Sequence, residues 1–269
     1  MNRMKRVLLL TAAAAACFAG TAAAQNTVPA GVDAAAIVKE SRNLVDAETV
    51  STRSRMVITA KDGRTSERII DQYSKEDSGG RVRTVVVFQQ PASVRNTRFL
   101  TMENAAGGDD RWIFLPSLGK VRRIASSEGG GSFMGTDFAY DDMSLQTRGA
   151  EKDAHRLLRE ESLNGKACYV IESVSGDSGF LYSKYIQWID KEIKIPWKAE
   201  LYDRRSNLIK LMEVLEVKEV QGQLTPNITK MTTVAEGTST MVYMDIIKYN
   251  DPVPEGVFTT NYLETGRAR

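Results

Sequence analysis

The sequence contains little of the side-chain chemistry that most enzymes and metal sites use. Its 269 residues include one histidine, His155, and two cysteines, Cys17 and Cys168. Zinc sites of the usual kind draw three or four ligands from histidine and cysteine, and this chain is too poor in both to supply them. We therefore expect no metal, no cofactor and no enzymatic activity.

One short motif nevertheless matches a catalytic signature. Gly176-Asp177-Ser178-Gly179 is the nucleophile sequence of trypsin-like proteases. Such a serine needs a histidine base, and His155 lies in a charged stretch at 152–156, without the Ala-Ala-His-Cys context and with little sequence before Ser178. We interpret residues 175–179 as a turn and keep a serine hydrolase using Ser178 as the least favoured alternative.

Long apolar runs are missing everywhere except at the N-terminus. There, three basic residues precede an apolar run from Val7 to Phe18, and three alanines precede Gln25. This is the organisation of a cleavable secretory signal peptide. No later stretch approaches the roughly 20 apolar residues of a membrane helix. We predict that residues 1–24 are a signal peptide and that residues 25–269 form a single periplasmic domain.

The two cysteines bear on that interpretation in different ways. Cys17 would be the acylated residue of a lipoprotein signal, but Ala14 stands where such signals usually carry a large aliphatic residue. Lipid anchoring at Cys17 is the alternative that this leaves open. Cys168 then has no partner for an internal disulfide, and its strand-like run from Ala167 to Ile171 predicts a core position.

An excess of basic charge is also missing from the mature chain. The predicted signal peptide holds three basic and no acidic residues, so 33 basic residues remain against 34 acidic ones. Nucleic-acid-binding proteins show a clustered basic face. We therefore expect no nucleic-acid partner.

The pattern of apolar residues indicates a mainly β protein. Asp33 is placed to cap the one clear amphipathic helix, which carries Ile37 and Val38, and from Thr49 onward the period changes to two. Asp62-Gly63 predicts the first hairpin turn. About a dozen short strands with short connections imply an antiparallel meander. A barrel of more than about eight strands leaves room for a ligand. Eight mature methionines suit an adaptable apolar interior, although core filler is the favoured role of any single one.

Residues 126–145 interrupt this rhythm. A glycine-rich stretch, Gly129 to Gly131, is followed by five large apolar residues, which suits a mobile flap. These five are Phe133, Met134, Phe138, Tyr140 and Met143.

Charged residues flank the same region. Asp137, Asp141 and Asp142 could attract calcium, although helix capping is the favoured use because the spacing is not that of an EF-hand. A basic cluster of Lys120, Arg122 and Arg123 is either a solvated face or a contact for a lipid head group or an acidic partner.

Two runs carry a resemblance to a known family. They are WIFLPSLGKVRRI at residues 112–124 and SFMGTDFAYDDM at residues 132–143. Together they resemble the signature of the bacterial outer-membrane lipoprotein-sorting protein family, the relatives of the carrier LolA and its receptor LolB. The resemblance implies an incomplete antiparallel β-barrel, here of about 11 strands, wrapped around an apolar cavity, with an N-terminal helix and a short helical lid.

The resemblance also implies a function and a set of site residues. It implies a non-catalytic carrier, expected as a monomer, for lipid or the acyl chains of lipoproteins. The partner would be an inner-membrane exporter of the RND/MMPL type or a lipoprotein-releasing transporter. We assign Trp112 and Phe114, with the five apolar residues of the flap, to the ligand site. Arg53 and Arg55 are the candidates for an arginine that latches the lid.

A second class of function is an outer-membrane-anchored or integral β-barrel protein. It also predicts alternating strands, but it requires an outward apolar band with aromatic girdles. Several strands here place Arg, Lys or Glu at alternate positions. The soluble carrier is therefore the favoured hypothesis.

The first testable prediction concerns processing. Because alanines precede Gln25, intact-mass analysis of the exported protein should give a chain that begins at Gln25 and partitions into the aqueous phase of a Triton X-114 extraction. A chain that begins at an acylated Cys17 and enters the detergent phase would contradict the soluble-carrier hypothesis.

Overall fold

The structure is a computed structural model that describes residues 31–105, 108–145 and 148–268. The predicted signal peptide, Cys17 and the predicted start at Gln25 lie outside the described residues. Within these ranges, each helix is too short or too polar to cross a lipid bilayer.

The described residues form one large antiparallel sheet with small helices around it. Its strands are β1 (Thr49–Thr59), β2 (Thr65–Glu76), β3 (Val82–Gln90), β4 (Arg98–Met102), β5 (Asp110–Leu115), β6 (Lys120–Ile124), β7 (Asp153–Leu163), β8 (Lys166–Ser175), β9 (Lys184–Asp190), β10 (Pro196–Tyr202), β11 (Leu208–Val220), β12 (Gln223–Thr233) and β13 (Thr238–Tyr249). The helices are α1 (Ala34–Arg42) and α2 (Thr260–Thr265), with 3₁₀ turns at Ser126–Glu128, Asp141–Ser144, Ala150–Lys152 and Glu255–Phe258.

The mainly β, antiparallel prediction is confirmed, with 13 described strands rather than about 11. The higher count arises because strands as short as β4 and β6, five residues each, are full members of the sheet. The order is β6-β5-β4-β3-β2-β1-β13-β12-β11-β10-β9-β8-β7. Neighbours in the sheet are neighbours in sequence, except that β1 pairs with β13.

This order makes β6 and β7 the two edges of the sheet, although they follow one another in the chain. The connection between them, residues 125–152, must therefore pass from one edge to the other. It crosses one face of the sheet, and its side chains contact strands from β6 through to β9. A single segment can touch strands that far apart only if the sheet curls around it. We call the face that it crosses the concave face.

Strand alternation divides the core between the two faces, because successive side chains point to opposite sides. On β3, Val86 and Phe88 belong to the concave cluster, whereas Val85 and Val87 pack on the opposite, convex face. The convex cluster is covered by the C-terminal segment, including the buried Leu263 of α2. One sheet thus has two apolar layers.

The N-terminal helix forms as predicted at its start. The Asp33 carboxylate accepts hydrogen bonds from the backbone N–H groups of Ala35 and Ala36, so Asp33 is the N-cap. Ile37 and Val38 are buried against β7, β8 and β9. Leu44 and Val45, which continue the apolar pattern in sequence, lie beyond the helix end at Arg42.

A buried polar cluster holds the end of α1 against the sheet. The Arg42 guanidinium donates to the Tyr185 hydroxyl, which in turn donates to Asp153 at 2.5 Å. Arg148 also donates to Asp153, at 2.9 Å. Burial is the main cause that raises the pKa of Tyr185 to about 12, so its hydroxyl stays protonated and able to donate.

Two further local predictions are confirmed. At Asp62-Gly63 the chain turns between β1 and β2, and Gly63 takes a φ of 85°, a conformation that glycine adopts without steric cost. Cys168 is fully buried on β8, and burial raises the pKa of its thiol.

The second prediction tests the C-terminal packing. Leu263 is 0% exposed and Leu118, at the β5–β6 turn, is 61% exposed. Leu263→Ala should lower the free energy of unfolding by about 3 kcal/mol, because it leaves a cavity in a packed cluster. The matched control Leu118→Ala should change it by less than about 0.5 kcal/mol. Equal effects in urea titrations would show that α2 does not contribute to the folded core.

Candidate functional site

The candidate site is the concave face together with the segment that fills it. We define the inner segment as residues 129–145 of the β6–β7 connection. Phe133 and Ala139 are fully buried in it, while Met134, Phe138, Tyr140 and Met143 are half-buried. Phe138 contacts the clusters of both halves of the sheet. The structure thus brings together the five flap residues that the sequence predicted.

Aromatic rings of the inner segment pack against aromatic rings of the sheet. The Phe133 ring lies 5.3 Å, between centroids, from both Phe88 on β3 and Phe99 on β4. The Tyr140 ring stacks on Phe99 at 5.5 Å. These are ordinary distances for packed aromatic pairs. The rings of the segment therefore pack directly against the apolar concave face of the sheet, which we call the wall.

A tight loop rather than a helix presents these rings. The Thr136 N–H donates to the Phe133 carbonyl at 3.2 Å, and Met134 and Gly135 between them have φ values of 53° and 75°. Two positive φ values are typical of a type I′ turn. The Phe133 N–H closes the loop by donating to the Phe138 carbonyl at 2.7 Å. The expected helical lid is thus reduced to one 3₁₀ turn at Asp141–Ser144.

The glycine-rich stretch has a packing role in addition to any freedom of movement. A Cβ atom on Gly129 would lie 2.3 Å from the Asp141 Oδ1 atom, and one on Gly131 would lie 3.1 Å from the Glu128 carbonyl. Real Cβ atoms do not approach other atoms as closely as the first distance. Gly129 therefore lets the backbone pass directly over the Asp141 carboxylate.

A buried ion pair holds one end of the inner segment. Arg111 on β5 donates to Asp141 Oδ1 at 2.6 Å, and both side chains are almost fully buried. The other oxygen of Asp141 accepts from the Leu181 N–H at 2.8 Å. Arg111 also lies 3.9 Å from Asp109.

A second ion pair reaches the opposite half of the sheet. Lys210 on β11 donates to Asp142 Oδ2 at 2.8 Å, and the Tyr182 hydroxyl donates to Asp142 Oδ1 at 2.5 Å. Burial, together with the Asp142 charge, raises the pKa of Tyr182 well above its usual range, which keeps the phenol a donor. Asp142 also accepts from the Ala139 N–H at 2.6 Å.

The third carboxylate of the inner segment binds hydroxyl groups. Thr240 on β13 donates to Asp137 Oδ2 at 2.7 Å and accepts from the Asp137 N–H at 3.0 Å. Thr238 donates to the other oxygen. The three aspartates thus bind cations and hydroxyls on three separate strands, rather than serving mainly as helix caps. Within the described residues, no group of three or more His, Cys, Asp or Glu side chains is arranged to hold a metal ion.

Trp112 and Phe114 do not join the other predicted ligand-site residues. Both pack in the convex cluster against the C-terminal segment. The reason is strand alternation, because on β5 the side chains of Arg111, Ile113 and Leu115 point to the concave face. Their assignment to the inner site is therefore corrected.

The predicted latch arginines also lie away from the inner segment. Arg53 forms a bidentate pair with Asp71, at 2.7 and 2.8 Å. Arg55 lies 4.2 Å above the Tyr243 ring. These partners belong to the convex side of β1, β2 and β13, so neither arginine is placed to hold the segment.

The residues that do hold it, Arg111 and Lys210, were missed from the sequence. The sequence did contain an indication of both residues. Each lies two positions from an apolar residue of the same strand, Ile113 or Met212, and therefore shares that residue's inward face. A cation at an inward position of an otherwise apolar strand indicates a buried partner.

The basic cluster at β6 is exposed, and its two arginines are paired within the chain. Arg122 contacts Glu128 at 2.6 Å, and Arg123 contacts Asp110. Consecutive strand positions direct these two arginines to opposite faces. Lys120 lies beside the exposed Leu118 at the end of the β5–β6 hairpin.

His155 is engaged away from Ser178. Its Nδ1 lies 2.7 Å from Ser173 Oγ and its Nε2 lies 2.8 Å from the Ala150 carbonyl, and burial lowers its pKa. Ser178 is exposed in the β8–β9 turn, as the sequence predicted. Both ring nitrogens are thus occupied by groups other than the candidate nucleophile.

Comparisons with known proteins describe the same architecture. A protein-family model described only as an uncharacterized protein matches residues 80–265. No curated protein matches the chain. A domain described as an outer membrane lipoprotein-sorting protein domain, from Vibrio parahaemolyticus, is 29% identical, with a TM-score of 0.80 over 86% of this chain and 98% of that one.

Two other solved structures share the fold. A DUF1329 family protein from Desulfovibrio piger has a TM-score of 0.81 at 24% identity, over 86% of this chain and 97% of that one. A LolA superfamily protein from Nitrosomonas europaea has a TM-score of 0.71 at 21% identity, over 86% of this chain and 99% of that one.

The third prediction tests the buried ion pair. Arg111→Met should lower the free energy of unfolding by about 3 kcal/mol or more, because it leaves the Asp141 carboxylate buried without its cation. The control is Arg64→Met, which breaks a pair with Asp62 of similar length whose side chains are 85% and 53% exposed. Because solvent screens that exposed pair, its loss should change the free energy of unfolding far less than the loss of Arg111 does.

A double variant separates the ion pair from simple packing. If the loss comes from the uncompensated carboxylate, adding Asp141→Leu to Arg111→Met should recover part of the lost stability. Additive losses, or an Arg111→Met effect no larger than that of Arg64→Met, would contradict this account.

Proposed function

Because the chain belongs to the LolA-like family of outer-membrane lipoprotein-sorting proteins, we propose that it is a non-catalytic periplasmic carrier for acyl chains. The acyl chains of a lipid or a lipoprotein bind on the concave face of the sheet. The inner segment leaves that face to admit them and returns when they leave. The carrier works as a monomer.

One observation supports this proposal above the others. The inner segment is an apolar occupant of a curled apolar sheet, and it is not part of that sheet's hydrogen-bonded ladder. Its ring centroids lie 5.3 Å from those of the wall, which leaves no room for a hydrocarbon chain between them. Binding therefore requires the segment to move, and the ligand replaces contacts that the segment now makes.

The exchange is energetically balanced. Burying one methylene is worth about 0.8 kcal/mol, so a chain of about 12 carbons gains roughly 9 kcal/mol before the costs of ordering. The segment gives up several buried side chains, each worth about 1.5–3 kcal/mol. Two opposing terms of this size permit both loading and release, which a carrier needs.

Transfer also requires partners in the two membranes. We propose that an inner-membrane exporter of the RND/MMPL type, or a lipoprotein-releasing transporter, supplies the cargo, and that the outer membrane receives it. The end of the β5–β6 hairpin, with the exposed Leu118 and Lys120, is a contact region for such a partner.

The fourth prediction tests whether the segment and the ligand compete. Thr240→Val removes the hydroxyl that bonds Asp137 and keeps the shape of the wall. Because this destabilises the docked segment, the affinity for a fluorescent fatty-acid probe should rise by about tenfold. Probe titrations of the mature protein, purified without detergent, measure this change.

Thr225→Val is the matched control. Thr225 is also buried, but its hydroxyl contacts Tyr249 rather than the inner segment. Its replacement should leave probe affinity within about twofold of the parent. If Thr240→Val weakens probe binding, the segment covers the ligand instead of competing with it. If the parent binds no probe, the carrier proposal fails.

A further inference from the structure

Two cations stand on the apolar wall of the concave face. Arg111 on β5 is 7% exposed, and Lys210 on β11 is 8% exposed. Arg111 points to the same side as Ile113, and Lys210 to the same side as Met212. Buried lysine and arginine are rare in proteins unless a counter-charge accompanies them.

The inner segment supplies a close counter-charge to each cation. Asp141 lies 2.6 Å from Arg111 and Asp142 lies 2.8 Å from Lys210, and these carboxylates are themselves almost fully buried. The two acids follow the stretch that contains Phe133 and Phe138 and precede Met143, which also packs on the wall. The segment thus presents apolar rings and two adjacent carboxylates to the wall, which are the two chemical features of an anionic amphiphile.

Movement of the segment therefore has an electrostatic cost as well as an apolar one. A neutral acyl chain can replace the rings, but it cannot replace the carboxylates. A buried cation that loses a close partner is strongly destabilised, and the contact of Arg111 with Asp109, at 3.9 Å, is longer than its contact with Asp141. The wall left behind is apolar and positively charged.

We propose that the cargo is an anionic amphiphile whose charged oxygens take the places of the Asp141 and Asp142 carboxylates on Arg111 and Lys210. Carboxylate and phosphate share this chemistry, since both accept charge-assisted hydrogen bonds from guanidinium and ammonium groups. This proposal rests on the proposed carrier function and adds the chemical class of the cargo to it.

Space for such a group exists beside the first ion pair. A cavity of about 70 Å³ borders Arg111 and Asp141 and is also lined by Arg148 and Lys152. Asp109 and Asp177 line it too, so the cavity is polar rather than purely basic. A polar opening at the end of an apolar face lets a head group remain hydrated while its chain is buried.

The test compares ligands that share one chain and differ in the head group. Dodecanoate, monododecyl phosphate, dodecanol and dodecyltrimethylammonium each displace a fluorescent fatty-acid probe from the mature protein. The anionic ligands should bind at least tenfold tighter than dodecanol, and the cationic one should bind weakest. Inorganic phosphate should not displace the probe at millimolar concentration, because the apolar chain is required.

Variants test whether cationic side chains of the wall cause the preference for anionic ligands. The readout is the ratio of dodecanol to dodecyl phosphate dissociation constants, which cancels any general effect of loosening the inner segment. Lys210→Met should lower this ratio by tenfold or more, and Lys210→Arg should keep it. Lys230→Met, at an outward position of β12, is the control for net charge and should also keep it. Asp142→Asn frees Lys210 from its internal partner and should raise the ratio.

The outcomes separate this proposal from the carrier function. Equal affinities of the parent for dodecanol and dodecyl phosphate would overturn the anionic-cargo proposal and leave the carrier function standing. A preference that survives in Lys210→Met and in Arg111→Gln would overturn the assignment of these cations. If no ligand with a dodecyl chain binds, the carrier function itself fails. Displacement of the probe by inorganic phosphate at millimolar concentration would indicate a simple anion site and overturn the anionic-amphiphile proposal, because no apolar chain would then be required.

Discussion

The pairing of β1 with β13 is the constraint on which the rest of the structure depends. It joins the two meanders of the sheet at their centre and thereby places β6 and β7 at its edges. Since β6 and β7 are consecutive in the chain, their connection has to cross the sheet. The other described strands that follow one another in the chain are sheet neighbours and need only short turns, so this crossing is the one long connection between described strands. The inner segment lies on the concave face because the strand order requires it.

The composition of the inner segment has to suit both the apolar and the polar parts of the concave face. The wall is apolar along most strands, and rings from the segment fill it. The wall also carries Arg111, Lys210 and Thr240, and each of these binds a different aspartate of the segment. Apolar contacts supply most of the attraction, because they are numerous and non-directional. The polar contacts fix the register, since a shifted segment would leave buried charges unpaired.

Sequence patterns predicted the elements of this fold better than its faces. The alternation from Thr49 onward, the Asp33 cap and the Asp62-Gly63 turn depend on local chemistry, and all three are confirmed. Trp112 and Phe114 were misplaced because alternation tells which residues share a face but not which face is concave. Arg53 and Arg55 were predicted because they lie on the first strand, without a prediction of which face of the sheet they occupy. The partners of Asp137, Asp141 and Asp142 come from β5, β11 and β13, which only the strand order brings together.

We propose that the inner segment and the cargo exchange places on the concave face. Hydrogen exchange measures this directly, because the amides of Phe133, Tyr140 and Asp141 are bonded only within the segment region, to the carbonyls of Phe138, Gly131 and Gly129. Saturation with monododecyl phosphate should speed the exchange of these amides and leave those of β3 and β11 unchanged or slower. Slower exchange of the three amides in the loaded protein would contradict the account, since it would show that the segment stays in place when cargo binds.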